Sequence, residues 1–155
     1  MKLAIFSDTH GYSDKMINAV HMASPDMIVH LGDGEADVIE LKEVFPQIPI
    51  VNVRGNCDMF SVSPETELFN LGNLKLFITH GHLFNVKRSK TILVDRAKFL
   101  NANIVMYGHT HISDCYKEDG LNVINPGACG YASNSSYAEV SISDSGDVHC
   151  EIIKI

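Results

Sequence analysis

Five short apolar segments, each followed at once by residues able to bind a metal, constrain the fold of this 155-residue chain more than any other feature. Apolar runs of four to six residues that are rich in Ile, Val and Phe predict buried strands rather than helices. The five segments are Leu3–Phe6, Met27–Leu31, Ile48–Val53, Leu74–Ile78 and Ile104–Tyr107. They are followed by Asp8-Thr9-His10, Gly32-Asp33, Gly55-Asn56-Cys57-Asp58, His80-Gly81-His82 and Gly108-His109-Thr110-His111.

Helical patterns lie between several of these predicted strands. One spans Ser13 to about Ala23 with Ser13 as its cap, a second spans Ala36 to Phe45 and is stopped by Pro46, and a third spans Ser89 to Leu100 and ends at Asn101. An alternation of strand, helix and strand is typical of a layered α/β core with parallel strands.

The last third of the chain has a different pattern. Asp119-Gly120 interrupts the segment from Tyr116 to Ile124, and Asp-Gly is a strong hairpin signal. Residues 144–147 separate two alternating segments, Tyr137–Ile142 and Val148–Ile155, and a third hairpin is expected to join Glu67–Phe69 to Leu74–Ile78. We therefore expect one mixed sheet or two packed sheets, parallel early and antiparallel late, within one domain that covers residues 1–155.

The loops that follow the five predicted strands are expected to meet in one crevice. The candidate ligands Asp8, Asp33, Asn56, His80 and His109 recur at intervals of 23 to 29 residues. In an α/β sheet, the loops at the carboxyl ends of the strands converge where ligands bind. The stretches 8–10, 80–82 and 108–111 hold five of the eight histidines, whereas composition alone predicts about half of one. Imidazole, carboxylate and amide ligands together suit borderline divalent metals.

The charge and the cysteines restrict the class of partner and the compartment. The formal net charge is −7 and the pI is about 5.5, which argues against a protein that binds nucleic acid or a membrane surface through its own basic field. Any phosphate that binds here must meet positive charge from another source. The four cysteines form no CxxC pair, and no apolar run reaches the length of a signal-peptide core or a membrane span, so we expect a cytoplasmic protein with reduced thiols.

The ordered motifs DxH, GD, GN, THGH and GHTH resemble those of the calcineurin-like metallophosphoesterases. The resemblance covers almost the whole chain, and within the superfamily it is greatest to the small bacterial and archaeal phosphodiesterase branch related to the retromer scaffold subunit. Asn125-Pro126-Gly127 stands where that branch usually has NPGS. Each motif alone is weak, but the ordered set is specific. The resemblance implies a layered α-β-β-α sandwich.

The resemblance also implies a centre with two metal ions. One ion would be held by Asp8, His10, Asp33 and His111, and the other by Asp33, Asn56, His80 and His109, with Asp33 bridging the two. Mn²⁺ is the expected metal, with Ni²⁺, Fe²⁺ or Zn²⁺ as alternatives. Such a pair would add positive charge to an acidic protein, make hydroxide available from a bridging water near neutral pH, and position the attacking and leaving oxygens.

One position departs from the family pattern. Family phosphomonoesterases have His after the Gly-Asn, where it is thought to act on the leaving group, and this chain has Cys57. A thiol is a weak hydrogen-bond donor with a pKa of ~8.5, so it substitutes poorly for an imidazolium. The departure favours a phosphodiesterase with a small phosphodiester as substrate. A phosphomonoesterase or phosphoprotein phosphatase on the same site remains the alternative, as does a non-catalytic interaction scaffold.

Roles in catalysis are assigned on the same basis to four residues. Asp33 and Asn56 would act through the metals, Asp58 is a candidate proton donor, and His82 contacts the substrate or a metal ligand, with an ordinary turn residue as the alternative. His30 lies inside an apolar strand and is interpreted as a core histidine. The basic cluster Lys87, Arg88 and Lys90 is expected to be solvated, with steering of anions as its alternative role. A homodimer is also an expectation.

Overall fold

The computed structural model describes residues 1–130 and 133–155, and these contain ten strands and three α-helices. In the first third of the chain, strands and helices alternate in the order β1 (Lys2–Phe6), α1 (Ser13–Ala23), β2 (Met27–His30), α2 (Glu35–Val44) and β3 (Ile50–Asn52). The rest contains β4 (Thr66–Leu71), β5 (Leu74–Thr79), a 3-10 turn at His82–Phe84, α3 (Thr91–Phe99), β6 (Ile104–Met106), β7 (Asp114–Glu118), β8 (Leu121–Asn125), β9 (Ser136–Ile142) and β10 (Val148–Lys154).

The strands form two mixed five-stranded sheets. The first has the order β10-β9-β1-β2-β3 and the second has the order β4-β5-β6-β8-β7. Strands β1, β2 and β3 run parallel to one another, as do β5, β6 and β8. The edges are completed by antiparallel strands, β9 and β10 in the first sheet and β4 and β7 in the second. The predicted α/β class with mixed sheets is confirmed.

The order of the layers follows from which buried cluster each face of the central strands joins. Leu3 and Ile5 of β1 share one buried cluster with Leu76 and Ile78 of β5, so this cluster lies between the two sheets. The intervening residues of β1 pack instead with helix α1 in a second cluster. A third cluster joins the outer face of β5 to α3. Because side chains alternate across a strand, these contacts give the layers helix, sheet, sheet and helix.

The helices lie where the sequence predicts them, but two details differ. Helix α1 has the predicted bounds, whereas α2 and α3 each differ from the prediction by one or two residues at either end. The prediction that Ser13 caps α1 is wrong, because Ser13 is the first helical residue and its hydroxyl donates to Glu40 Oε2 at 2.6 Å. That hydrogen bond joins the beginning of α1 to α2.

The three predicted hairpins are confirmed as β4–β5, β7–β8 and β9–β10. Strand β3 is shorter than predicted and covers only Ile50–Asn52. Pro49, which cannot donate a backbone hydrogen bond, directly precedes it. No helix among the described residues is long and apolar enough to cross a membrane.

Candidate metal centre

The five predicted ligand loops meet at the carboxyl ends of β1, β2, β3, β5 and β6. Three of these strands belong to the first sheet and two to the second. The sequence predicts that the loops meet in one crevice, and the structure places this crevice where the two sheets face each other. Backbone hydrogen bonds join loops within each half: Asp8 N–H donates to Gly32 O at 3.0 Å, and Gly108 N–H donates to His80 O at 3.0 Å.

Asp8 joins the two sheets at the centre of the site. Its side chain is fully buried. Its Oδ2 accepts hydrogen bonds from Ser7 Oγ at 2.6 Å and from the backbone N–H of His109, in the second sheet's loop, at 3.0 Å. Its Oδ1 accepts no well-directed hydrogen bond, although His111 Nε2 lies 3.1 Å away. The Oδ2 atom of Asp8 therefore holds the two loops together through hydrogen bonds, and the Oδ1 atom faces the histidines.

Asp33 lies between two groups of candidate ligands. Its Oδ2 is 3.9 Å from His10 Nε2 and 3.4 Å from His80 Nε2. Its Oδ1 accepts the backbone N–H of Cys57 at 2.7 Å. Asp33 thus occurs both in a cluster with His10 and in a cluster with His80 and His109, each with ligand atoms within 4.8 Å of one another. This is the position that the sequence analysis assigned to a bridging carboxylate.

His80 presents one defined ring nitrogen to the site. Its side chain is fully buried, and Nδ1 lies 2.7 Å from the carbonyl oxygen of Leu31, to which it can only donate. That hydrogen bond leaves Nε2 facing Asp33, with His109 Nδ1 3.1 Å away. A hydrogen bond to the remote nitrogen is the usual way in which proteins orient a histidine that binds a metal. Sequence reasoning found His80 but not the Leu31 carbonyl.

Three further histidines complete the two groups. His10 and His111 cluster with Asp8, and their rings are 5.6 Å apart. His109 clusters with Asp33 and His80. The structure therefore brings six of the seven predicted ligands into groups able to hold a metal.

Asn56, the seventh predicted ligand, lies at the exposed rim. Its amide donates to Cys57 Sγ at 3.3 Å, and its backbone belongs to the loop that holds Asp33. Cys57 itself falls in a group with His10 and Asp33, a position for which the sequence analysis did not list it as a ligand. The only sequence signal was the residue type, since a cysteine offers a sulfur atom that can bind a metal.

The backbone of this site is held in an uncommon conformation. Nine described residues other than glycine have positive φ, and five of them are predicted ligands: Asp8, His10, Asp33, His109 and His111. Left-handed backbone costs of order 1–3 kcal/mol for such residues and tends to persist at functional sites, where the surrounding structure imposes it. The strain is concentrated in these loops, and we attribute it to the need to turn five side chains towards one point.

Asp58 fastens two of these loops together. Its Oδ2 accepts the backbone N–H groups of Asp33 at 2.7 Å and Gly55 at 2.8 Å. Its Oδ1 accepts those of Gly34 and Glu35, each at 3.0 Å, at the beginning of α2. With both oxygens engaged as acceptors, Asp58 is placed to position Asp33. The sequence analysis offered it as a proton donor and did not anticipate these contacts.

The carboxylates, the histidines and the Cys57 thiol of the site shift one another's pKa values. Burial raises the pKa of Asp33, but the contacts with His80 and with the Cys57 backbone outweigh it and hold that pKa well below its usual range. Burial and the neighbouring charge of His80 lower the pKa of His109 to about 4. Burial, together with the Asp33 carboxylate, raises the pKa of the Cys57 thiol to about 11. At neutral pH the site thus offers ionised carboxylates, a neutral His109 and an un-ionised thiol.

The donor set fits a divalent metal. Asp8 Oδ1 is a buried carboxylate oxygen that no hydrogen bond satisfies, and such atoms are rare in folded proteins unless a ligand or an ion completes them. It lies 3.9 Å from the Nε2 atoms of both His10 and His80. Carboxylate and imidazole donors facing one point are the donors that Mn²⁺, Fe²⁺, Zn²⁺ and Ni²⁺ accept.

Two other histidines lie close to the centre with different surroundings. His82 is half-buried, its ring is 5.5 Å from that of His80, and its buried Nδ1 has no hydrogen-bond partner. His30 is fully enclosed, its Nδ1 accepts the Gly32 N–H at 3.2 Å, and its Nε2 lies 3.3 Å from Thr9 Oγ1. The interpretation of His30 as a core histidine is confirmed, whereas His82 lies beside the site with one ring nitrogen that no hydrogen bond satisfies.

Comparison with known proteins agrees with the motif resemblance. Residues 1–145 match the calcineurin-like phosphoesterase superfamily domain. The probable metallophosphoesterase YsnB of Bacillus subtilis is 34% identical over 131 residues, which cover 83% of this chain and 75% of that protein. The phosphodiesterase MJ0936 of Methanocaldococcus jannaschii is 29% identical over 151 residues, covering 84% of this chain and 86% of that protein.

Solved structures agree on the fold. A conserved uncharacterized protein of Streptococcus pneumoniae, described as a predicted phosphoesterase, superposes with a TM-score of 0.79 at 26% identity. The match covers 99% of this chain and 97% of that one. The two mixed sheets and their flanking helices are therefore shared along almost the full length of both chains.

Proposed function

Because the chain belongs to the calcineurin-like phosphoesterase superfamily, we propose that it is a metal-dependent phosphodiesterase acting on small phosphodiesters. The observation that carries the proposal is the position of Asp33, whose carboxylate is shared between the His10 group and the His80–His109 group. One carboxylate shared by two sets of donors is the arrangement that a two-metal centre requires. The name of the relative MJ0936 supports the diester as substrate.

Seven residues would hold the two ions in this proposal. One ion would be held by Asp8, His10 and His111 and the other by His80 and His109. Asp33, which clusters with His10 and also with His80 and His109, would contact both ions, and Asn56 would supply a neutral oxygen at the rim. Mn²⁺ is the expected metal. When bound, the two cations supply positive charge for the phosphate and a water of lowered pKa.

The protein's own groups keep the donors in the state that binding requires. The Leu31 carbonyl holds a proton of His80 on Nδ1, so Nε2 is the ring nitrogen that would bind a metal. The Asp8 and Asp33 carboxylates are ionised, because hydrogen bonds and histidine contacts keep the pKa of each below its usual value despite burial. Ser7 and the His109 backbone fix the rotation of the Asp8 carboxylate.

Cys57 supports a diester over a monoester. The thiol lies beside Asp33 and His10, where other members of the superfamily have an imidazole, and its raised pKa keeps it protonated at neutral pH. A protonated thiol donates hydrogen bonds weakly and carries no positive charge. It therefore contributes little to binding the extra negative charge of a monoester, and it is a poor proton donor for a leaving group. His82, whose ring lies 5.5 Å from that of His80, is the candidate to contact a substrate oxygen.

The proposal is tested with metal-stripped protein to which Mn²⁺ is returned. We expect bis(4-nitrophenyl) phosphate to be hydrolysed only with metal, and 4-nitrophenyl phosphate much more slowly. Asn56→Ala and His80→Ala should abolish the metal-dependent rate, whereas His149→Ala, an exposed histidine on β10, should not. Comparable rates on both substrates would indicate a phosphomonoesterase, and no turnover together with no metal binding would favour the scaffold alternative.

A cytoplasmic location and a small-molecule substrate are part of the same proposal. The −7 charge of the chain and the acidic groups of the site leave the bound cations as the main source of attraction for phosphate. The four cysteines, none of them in a CxxC pair, would stay reduced in that compartment.

A further inference from the structure

A cavity of about 360 Å³ adjoins the metal centre and takes no part in it. It lies between residues 86–90, which lead into α3, and residues 107–114, which follow β6. Its wall includes Thr110 and Ile112, the two neighbours of His111. The cavity therefore begins where one group of candidate ligands ends, and its size falls within the usual range for small-ligand sites.

The inner surface of the cavity is apolar. Val86 and Tyr107 line it and are both buried, while Ile112 is 72% exposed at its mouth. An isoleucine that is mostly exposed beside a cavity can cover a flat apolar group that enters. The surface therefore suits a ring.

The opposite rim is cationic. Lys87 and Arg88 line the cavity and are exposed, and neither side chain forms an ion pair within residues 1–130 and 133–155. Lys90, the third member of this cluster, is instead bound to Asp114 at 2.5 Å. In a chain of net charge −7, two adjacent cations without carboxylate partners at a cavity are available to a ligand.

Lys87 also connects the rim to the metal centre. Lys87 lines the same cavity as Thr110, and Thr110 stands in the chain between His109 and His111, one histidine from each ligand group. A ligand that contacted both the metal centre and the cationic rim would therefore pass through the cavity.

We propose that this cavity binds one ester arm of the substrate, and that the preferred arm carries a ring and a second anionic group, a carboxylate or a phosphate. The ring would pack on Val86 and Ile112, and the anion would pair with Lys87 and Arg88. The inference rests on the proposed phosphodiesterase function and names the substrate class for that site. It also gives the basic cluster a binding role in place of the solvated one expected from sequence.

Two substrates that differ only in one carboxylate test the proposal. These are 4-nitrophenyl phenyl phosphate and 4-nitrophenyl 4-carboxyphenyl phosphate, assayed with the Mn²⁺-loaded protein. Two exposed ion pairs each contribute modestly, so we expect kcat/KM to be about three- to tenfold higher for the carboxylated substrate. In the double variant Lys87→Met/Arg88→Met the preference for the carboxylated substrate should fall below about twofold.

A matched control separates local pairing from overall charge. Lys154→Met/Lys117→Met removes the same charge from exposed positions on β10 and β7, outside the cavity lining, and should keep the preference. An equal preference in the double cavity variant, or none in the unmodified protein, would overturn the proposal.

A binding measurement keeps the test independent of turnover. Calorimetry with phenylphosphonate and 4-phosphonobenzoate should show tighter binding of the carboxylated probe, and the difference should vanish in the double cavity variant. If neither diester is hydrolysed, the proposed function fails, yet this carboxylate-dependent difference would still support the cavity. Equal affinities of the two probes for the unmodified protein would refute the cavity whatever the activity.

Discussion

The carboxylate of Asp58 holds Asp33 through the backbone, with Asp58 Oδ2 lying 2.7 Å from the Asp33 nitrogen. The same carboxylate accepts three further backbone N–H groups, from Gly34, Glu35 and Gly55. One side chain thereby ties the loop after β2 to the loop after β3. The position of the shared carboxylate in the centre depends on a residue that itself faces the backbone.

Replacing Asp58 by Asn is expected to loosen the centre. An amide keeps one acceptor oxygen and loses the other, so two of the four N–H groups lose their partner. We expect the free energy of unfolding to fall by about 1–3 kcal/mol. Affinity for Mn²⁺ should fall by about 10–100-fold, as for other residues that orient a metal ligand. Chemical denaturation and metal titration measure the two effects.

The control for that change is Asp144→Asn, in the exposed turn between β9 and β10. It removes the same charge away from the site and should leave Mn²⁺ affinity within about twofold, since exposed charges contribute little. Unchanged metal affinity in Asp58→Asn would contradict the positioning role.

Gly55 is expected to tolerate no side chain because of its contact with Asp33. A Cβ atom at Gly55 would lie 2.0 Å from Asp33 Oδ1 and 2.6 Å from the Asp33 nitrogen. Gly55→Ala should therefore displace Asp33, lower stability by about 1–3 kcal/mol and abolish metal-dependent hydrolysis. Activity and thermal unfolding of the purified variant check this expectation.

Gly120→Ala separates the loss of Asp33 from general destabilisation. Gly120 lies in the β7–β8 turn with φ +86, and nothing lies within 4 Å of its added Cβ. The free energy of unfolding of Gly120→Ala should fall by about 1 kcal/mol through backbone strain alone. We expect its metal-dependent rate to be unchanged, and a similar loss of rate in both variants would count against the geometry described for Gly55.

His30 is expected to make folding depend on pH. Burial lowers its pKa to about 4 from a reference value of 6.5, so the unfolded chain binds its proton first as the pH falls. The stabilising contribution is complete above about pH 6.5 and is lost between that pH and about 4. It amounts to roughly 3 kcal/mol, since each pKa unit corresponds to about 1.4 kcal/mol.

In His30→Asn the slope of unfolding free energy against pH should flatten over this range, whatever the stability at pH 7. The Asn side chain offers an acceptor for the Gly32 N–H that His30 Nδ1 now receives. His149→Asn, an exposed histidine, should keep the original slope. Urea unfolding at a series of pH values between 4.5 and 7.5 measures it, and parallel slopes in all three proteins would be evidence against a neutral, buried His30.

Cys57→His should shift the substrate preference towards monoesters. An imidazole at this position adds a donor that becomes positively charged, which the un-ionised thiol cannot supply. A monoester dianion carries one more negative charge than a diester, and a hydrogen bond to a charged group contributes about 1.5–3 kcal/mol, so the ratio of monoester to diester rates should rise at least about tenfold. Rates on 4-nitrophenyl phosphate and bis(4-nitrophenyl) phosphate give the ratio. Cys57→Ser, which adds no charge, should leave it near the starting value.

The elements of the fold were predictable because their signals are local. The apolar runs of β1, β2 and β5, the spacing of the first helix and the Asp119-Gly120 turn each occupy fewer than about a dozen neighbouring residues. The predictions fail where a distant residue decides the local structure. Ser13 has the residue type of a helix cap, but its hydroxyl bonds to Glu40, which lies on a different helix and cannot be inferred from neighbouring residues.

The candidate ligands were predictable for the same reason, but their partners were not. Asp, Asn and His directly after predicted strands are visible in the sequence, and six of the seven ligands fall in groups of donors. The hydrogen bonds from His80 to the Leu31 carbonyl, from His109 to Asp8 and from Asp33 to Asp58 join residues that are 49, 101 and 25 positions apart.

The sequence by itself determined which residue types follow each strand, and hence the family and the kind of metal they can bind. Only the tertiary structure decided how the loops of the two sheets are joined at one centre, that Asp33 is shared between two groups of donors, and that Asp58 accepts four backbone N–H groups. The physical reason is the distance along the chain over which each kind of interaction acts. Residue type and periodicity act over a few residues, whereas the direction of a lone pair at the site depends on hydrogen bonds between loops that only folding brings together.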